Sequence, residues 1–448
     1  MIWRALAGVI LVIALVFGAF LVWSWKGEIS AQKAPVATSF DPGQVAKGSQ
    51  LAAIGNCGSC HTQPGGKPYA GGLPIKTPFG TIYGTNITPD VDTGIGSWSE
   101  AAFRRAMREG VDRKGSHLYP AFPYDHFTHV SDSDISALYA FLMAREPVRQ
   151  ENRALGLPFP LNIRMAAAAW KLLFLRQATI PHVSAQSEEW NRGAYLVAGL
   201  GHCGACHTPR NAFGAEKTHE SFAGGEGEGW HAPALDESSP APIAWSADQV
   251  YAYLRNGFAD QHGYAAGPMQ AVVRNLSRAS DADVRAISVY VAGLSGSSKS
   301  GEVEQKAKDV FEFARSREAS IPYSNDSSAT TGTGAGDVGQ RQSGTDIFNG
   351  ACATCHHSGG ELPISRPAPL GLSSTLNAPD ATDLIRLVLD GIHPQPEERG
   401  AIMPGFNGAL TDDQIIALVN YLRGRFTRRP EWADVGSMLA RVRRDDKD

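Results

Sequence analysis

The chain has 448 residues, 43% hydrophobic and 19% charged, and its 41 Lys and Arg against 45 Asp and Glu leave a formal net charge of −4. That slightly acidic balance excludes a globally basic, nucleic-acid-binding protein. The length suits several small domains rather than one core, and six cysteines are the whole thiol inventory.

Residues 5–25 are apolar without a charge and include Val9-Ile10-Leu11-Val12-Ile13-Ala14-Leu15-Val16-Phe17. As a helix this stretch crosses ~30 Å of hydrocarbon. A cleaved signal peptide is the competing reading, but its apolar region runs to only ~7–15 residues before a small-x-small site. Phe20-Leu21-Val22-Trp23-Ser24-Trp25 is too bulky for such a site, and Trp23 and Trp25 suit a membrane interface. Residues 1–30 are therefore expected to be a retained anchor in the inner membrane, with Arg4 in the cytoplasm and everything after Lys26 in the periplasm.

A first domain is expected over residues 41–146. A helix-like stretch at 43–54 leads into Cys57-Gly58-Ser59-Cys60-His61, and a second helix opens at Trp98-Ser99-Glu100 and stops at Gly110. A third is opened by the capping pair Ser131 and Asp134 and continues as Ile135-Ser136-Ala137-Leu138-Tyr139-Ala140-Phe141-Leu142. Residues 147–186 are too long for a simple connection, where ~4–6 residues is typical. They hold Leu157-Pro158-Phe159-Pro160 and an apolar run at 163–176 that is too short to span a bilayer. That run is a candidate interfacial helix, a seat for a partner subunit, or a helix packed on the chain's own domains.

The pattern repeats over 187–295, with a helix at 188–200 whose Tyr195-Leu196 are expected to face the cofactor, then Cys203-Gly204-Ala205-Cys206-His207. A helix from Trp245-Ser246-Ala247 to Gly257 and a last one opened by Ser280 and Asp283 complete it. The linker at 296–338 is rich in Ser, Gly and Thr, notably Ser327-Ser328-Ala329-Thr330-Thr331-Gly332-Thr333-Gly334. Apart from a helix at 303–317, it is expected to hang on the surface. A third domain over 339–428 carries Ile347-Phe348 before Cys352-Ala353-Thr354-Cys355-His356. A helix from 380 to Gly391 follows with Leu384, Leu387 and Val388 on one face, and a last helix opens at Thr411 and Gln414. The tail at 429–448, mostly charged from 441 on, reads as solvated.

All six cysteines thus fall in three C-x-x-C-H pentapeptides. The pattern reads as three covalently attached c-type haems, with thioethers from Cys57, Cys60, Cys203, Cys206, Cys352 and Cys355 and proximal iron ligation by His61, His207 and His356. A zinc knuckle or redox C-x-x-C is the bland alternative, and three copies with no cysteine left over weigh against it. Twelve residues past Gly257 and Gly391 stand Met269 and Met403, each beside a proline, as expected sixth ligands. The same count from Gly110 reaches Phe122, which cannot bind iron. Met107 aligns with Leu254 and Val388 as helix core, so His126 ranks first for the first haem, with His117, His129 or an open site as alternatives. Either outcome places this haem at a lower potential than its His/Met sisters. His357 cannot reach the same iron as His356, and His182, His202, His219, His231, His262 and His393 read as surface or polar-pocket residues. No G-x-G-x-x-G after a strand, Walker loop or G-x-S-x-G is present, so no catalytic residue is assigned and the chain reads as an electron conduit.

The helix–haem–helix layout resembles the class I cytochrome c domain, which implies an all-α fold of three tandem domains behind an N-terminal transmembrane helix. Cys206-His207-Thr208-Pro209-Arg210-Asn211-Ala212-Phe213-Gly214, Gly267-Pro268-Met269, residues 384–391 and Asn420-Tyr421-Leu422-Arg423 resemble the triple-haem cytochrome c subunits of bacterial membrane-bound dehydrogenases. The resemblance implies electrons taken from a periplasmic dehydrogenase subunit and delivered to ubiquinone or a terminal oxidase. Partners in that group are quinohaemoprotein alcohol dehydrogenase, flavin-dependent sugar dehydrogenases, or molybdopterin and iron–sulfur hydroxylases that include aldehyde and nicotinate dehydrogenases. The anchor and Tyr119-Pro120-Ala121-Phe122-Pro123-Tyr124-Asp125-His126-Phe127 are more similar to the molybdenum group, whereas alcohol dehydrogenase subunits carry methionine where Phe122 stands. A molybdopterin-binding, aldehyde-oxidising subunit and an iron–sulfur subunit are therefore the expected partners. A peroxidase-like enzyme with an open first haem is the alternative of another class, and the anchor disfavours a stand-alone shuttle.

Overall fold

The computed structural model describes residues 2–296, 301–319, 344–356, 369–393 and 402–445. These are mostly helical, and their strands pair only as short antiparallel hairpins: Pro74–Thr77 with Gly80–Tyr83, Gly225–Gly227 with Trp230–Ala232, and Phe258–Ala259 with Gly263–Tyr264. The all-α expectation is corrected to that extent. The chain divides into two compact units, Met1–Ala185 with Ala194–His202, and Gln186–Gly193 with Cys203–Asp448.

The first unit begins with helix Ile2–Ser24, whose 23 residues are long and apolar enough to cross a membrane and whose apolar side chains are exposed. The strap after it is fastened by backbone: Ile29 N–H donates to the Arg113 carbonyl (2.9 Å) and Gln32 N–H to that of Ser97 (3.0 Å). Helix Pro42–Ile54 starts where Asp41 accepts the Gln44 N–H, with proline in its first turn. It crosses helix Asp132–Met143 so closely that a Cβ on Gly48 would lie 1.9 Å from the Ala137 carbonyl oxygen. Between them helix Glu100–Glu109 is capped by Ser99 and ended by Gly110 at φ 59°.

The same crossing recurs twice in the second unit. A Cβ on Gly193 would lie 2.0 Å from the Ala286 carbonyl oxygen, and one on Gly344 would lie 2.3 Å from that of Ala417. Four residues after each alanine stands an aromatic, Phe141, Tyr290 and Tyr421, whose Cβ closes on the same glycine. This explains the repeated aromatic in the sequence. It marks the side of the crossing where the two backbones touch, so only glycine fits opposite.

One expectation is corrected. The tail is not solvated: helix Val435–Asp445 buries Val435, Leu439 and Val442 with Trp432 in the core built by Phe348, Ile385 and Leu418. The Trp432 indole donates to the Ala378 carbonyl (3.0 Å), and the Arg423 guanidinium lies over its ring. The charges that made the tail look solvated occupy one face of a helix whose other face is apolar at 3.6 spacing. The helix expected at 303–317 spans Gly301–Ala319, and its Ala314 packs with Ile243 and Leu372. The run at 163–176 forms helix Met165–Phe174, and Ala167, Ala168 and Lys171 pack one face of it on its own unit, one of the readings that its sequence left open. Ser327-to-Gly334 and His357 lie outside the described residues.

Candidate haem sites

Each C-x-x-C-H begins where a helix is broken. Gly55 closes helix Pro42–Ile54, Asn56 takes the left-handed conformation (φ 51°), and a fresh helical turn Cys57–Cys60 starts. One turn puts the two sulfurs on the same side, and His61 N–H donates to the Cys57 carbonyl (3.1 Å), fixing the histidine beside them. In the second motif His202 is left-handed (φ 39°) and His207 N–H donates to the Cys203 carbonyl (3.0 Å). In the third, His356 N–H donates to that of Cys352 (3.0 Å).

Two of the three histidine rings are held through one nitrogen, leaving the other unengaged by these bonds. His61 Nδ1 donates to the Thr85 carbonyl (2.6 Å), and His207 Nδ1 to that of Pro233 (2.7 Å). A carbonyl only accepts, so the proton sits on Nδ1 and the Nε2 lone pair is left for a metal. Burial holds His61, His207 and His356 below the usual imidazole range, keeping them neutral. Among the described residues His356 Nδ1 is buried without a partner.

The thiols lie in surroundings that disfavour the thiolate. Burial, then the neighbouring cysteine of the motif, pushes Cys57 and Cys203 up to about 12 and Cys352 to about 11. A redox dithiol or zinc site needs thiolates and lowered values. Neutral, partly exposed thiols with a neutral imidazole beside them fit thioether-bound haem instead.

Hairpins with no signal in the residue periodicity complete the walls. The His61 carbonyl accepts from Gly71 N–H (2.8 Å, φ 83°) and the His207 carbonyl from Gly224 N–H (2.9 Å, φ 91°), so a left-handed glycine locks both ligand residues. The strands that follow run close past the cysteines, and a Cβ on Gly84 would be 1.9 Å from the Cys60 carbonyl oxygen. The glycine pairs Gly71-Gly72 and Gly224-Gly225 were the available signal.

On the distal side the loops of the first two repeats close alike. Leu118 N–H donates to the Gly110 carbonyl (2.7 Å) and Ala265 N–H to that of Gly257 (2.9 Å). Four residues on, Phe122 and Met269 hold equivalent places. Met269 opens helix Pro268–Leu276, and Phe122 packs edge-on against Phe127 (5.2 Å). The third loop differs: Met403 pairs with Ile392, one residue past Gly391, as His117 pairs with Val111 in the first. Met269 and Met403 are both half-buried. His126, on the short helix Tyr124–Phe127, bonds through Nδ1 to the Ala198 carbonyl (2.8 Å). His117 is buried and bonds through Nε2 to the Ser24 carbonyl (2.7 Å), and half-buried His129 bonds through Nδ1 to that of Ala178. Met107 is buried in helix Glu100–Glu109 with Phe103 and Ala106, as core.

Two expectations change. Tyr195 directs its hydroxyl at the Asp134 carboxylate (2.9 Å) instead of the cofactor side, while Leu196 is fully buried. His262 is not a surface residue: it is buried and stacked on Trp245, and desolvation lowers it to about 3.

The family model described as cytochrome c matches residues 45–146, and that of cytochrome c oxidase, cbb3-type, subunit III matches residues 339–422. A subunit of the nicotinate dehydrogenase of Pseudomonas putida is 43% identical over 440 residues, covering 96% of this chain and 35% of that protein. The gluconate 2-dehydrogenase cytochrome c subunit of Pantoea cypripedii is 35% identical over 418 residues, 90% of each chain. The cytochrome c subunit of a quinone-dependent alcohol dehydrogenase of Gluconobacter oxydans is 34% identical over 401 residues, 86% of this chain and 79% of that one. The chain therefore spans about a third of the first relative's length and most of the other two.

Proposed function

We propose that this chain, which belongs to the family of cytochrome c subunits of dehydrogenase complexes, is a membrane-anchored periplasmic subunit with three covalent haems that passes electrons from a molybdopterin and iron–sulfur dehydrogenase to ubiquinone or the respiratory chain. The observation that carries it is the triple recurrence of one arrangement: paired cysteines and a neutral, largely desolvated histidine next to a helix crossing that only glycine allows.

A thioether-held haem supplies reversible one-electron chemistry. The chain's own residues do the rest. Cys57 with Cys60, Cys203 with Cys206, and Cys352 with Cys355 would hold the three groups, and His61, His207 and His356 would each supply an iron ligand. Thr85 and Pro233 fix the tautomer of two of these rings through their carbonyls. Met269 and Met403 would supply the second iron ligand at the second and third sites. At the first, Phe122 takes the methionine's place and His126 ligates, supported by its Nδ1 bond to a carbonyl in the same manner as His61 and His207. A molybdenum partner is favoured over alcohol or sugar dehydrogenases by Phe122 within the Tyr119-to-Phe127 segment and by the similarity to the nicotinate dehydrogenase chain.

Haem stoichiometry tests the core of this reading. Pyridine haemochrome analysis should return three haems per chain, and Cys→Ala changes at both cysteines of one motif should remove one. A count of two would sink it. Metal analysis of the complex purified from membranes should find molybdenum and non-haem iron, and a quinoprotein or flavoprotein in their place would overturn the partner.

A further inference from the structure

Helix Met165–Phe174 is inside out. Lys171 is buried, 7% exposed, and its ammonium donates to the Glu109 and Gly110 carbonyls (2.8 and 2.9 Å), capping helix Glu100–Glu109. The adjacent Leu172 and Leu173 are 52% and 56% exposed, and Phe159 and Ile163 before the helix are exposed too. In water this arrangement is backwards, since burying the leucines and exposing the lysine would have been the stabilising choice. The chain exposes them on a helix whose buried face is fixed by alanines and a lysine.

The position of this helix supplies the reason. His117 ties two segments together: its Nε2 donates to the Ser24 carbonyl at the end of helix Ile2–Ser24 (2.7 Å), and its own carbonyl accepts from Arg164 (2.8 Å), one residue before helix Met165–Phe174. Lys26 and Lys171 are close enough to repel. Exposed Trp25 stands at the same exit. An apolar exposed strip, flanked by the exposed cations Arg164 and Arg176 and joined through one histidine to the end of a membrane-length helix, is the composition of a segment lying in a bilayer interface.

We propose that helix Met165–Phe174 rests on the lipid surface that helix Ile2–Ser24 enters, with Phe159, Ile163, Leu172 and Leu173 at the acyl-chain boundary and Arg164 and Arg176 at phosphate level. This inference rests on the reading of the N-terminal helix as a membrane span. It gives the first haem domain a second membrane contact, fixing its height and tilt where a single helix would leave it swinging.

The haem-loaded full chain, reconstituted in liposomes containing anionic phospholipid with a photoreactive acyl chain, is irradiated and its labelled peptides are mapped. Lipid adducts are expected on both 2–24 and 159–176. L172E/L173E should lower labelling of 159–176 by about tenfold or more, with 2–24 labelled as before and haem content unchanged. Labelling of 2–24 alone overturns the inference, while labelling of 159–176 alone supports it and overturns the membrane-span reading. In the complex isolated in native membranes, cross-linking of 159–176 to a dehydrogenase subunit instead of lipid also overturns it.

Discussion

At the scale of single residues, the first site turns on His126. If it ligates, His126→Ala should leave the haem count unchanged but convert one haem from low to high spin and make the reduced protein bind carbon monoxide. Magnetic circular dichroism reads both, and an unchanged spectrum would remove His126 from the site. A second residue gives a pH signature. Asp383 accepts the His231 N–H (2.8 Å) within the second unit, and burial raises its carboxyl from 3.8 to about 6, with Asp380 adding to the rise and Arg386 opposing it. Folding therefore favours the protonated form. The penalty is absent below pH 3.8, grows as pH rises, and is complete above about 6, costing about 3 kcal/mol at ~1.4 kcal/mol per pKa unit. Asp383→Asn keeps the acceptor oxygen and removes the charge, so thermal unfolding of the second unit should lose that fall between pH 4 and 6. Parallel curves for the two proteins would refute the burial.

At the scale of elements, the glycines at the three crossings carry the strongest prediction. Gly48→Ala, Gly193→Ala and Gly344→Ala each drive a Cβ to 1.9–2.3 Å from a carbonyl oxygen. Backbone cannot swing aside as a side chain does, so each should cost at least about 1–3 kcal/mol. Gly350→Ala in the same helix as Gly344 meets nothing within 4 Å and should be neutral or stabilising by ~0.5–1 kcal/mol. Denaturant unfolding of the four variants distinguishes a steric crossing from a general helix effect. Helices were largely legible because their ends are local: Ser99, Ser131, Ser246, Ser280 and Thr411 all cap as their sequence neighbours foretold. The hairpins were not, since strands of two to four residues without alternation leave no period to read. Nor was the tail helix, where Arg441, Arg443 and Arg444 masked the Val435, Leu439, Val442 stripe. At the sites, attachment residues are written in adjacent letters, whereas the Thr85 and Pro233 carbonyls lie 24 and 26 residues past their histidines and only folding brings them in.

At the scale of the whole molecule, unequal sites make a direction for electrons. Thioether ligation raises a haem's potential relative to other partners of histidine, so the first site, with Phe122 where Met269 stands in the second, should be the last of the three to take up electrons in a reductive titration. Phe122→Met tests whether that single position sets the order. The loops at Gly110 and Gly257 close through the same eight-residue bond, so a methionine at 122 is delivered as Met269 is, and its flexible side chain fits the volume of a phenylalanine. The first midpoint should then move upward by on the order of 0.1 V, well inside the ~0.8 V that axial ligands span, toward the other two, and the resolved titration waves should merge. Quinone-linked turnover in the assembled complex should change with the potential ordering while substrate oxidation with an artificial acceptor stays as before. A variant that titrates in three unchanged waves would show that the first potential is set elsewhere than at the loop following Gly110.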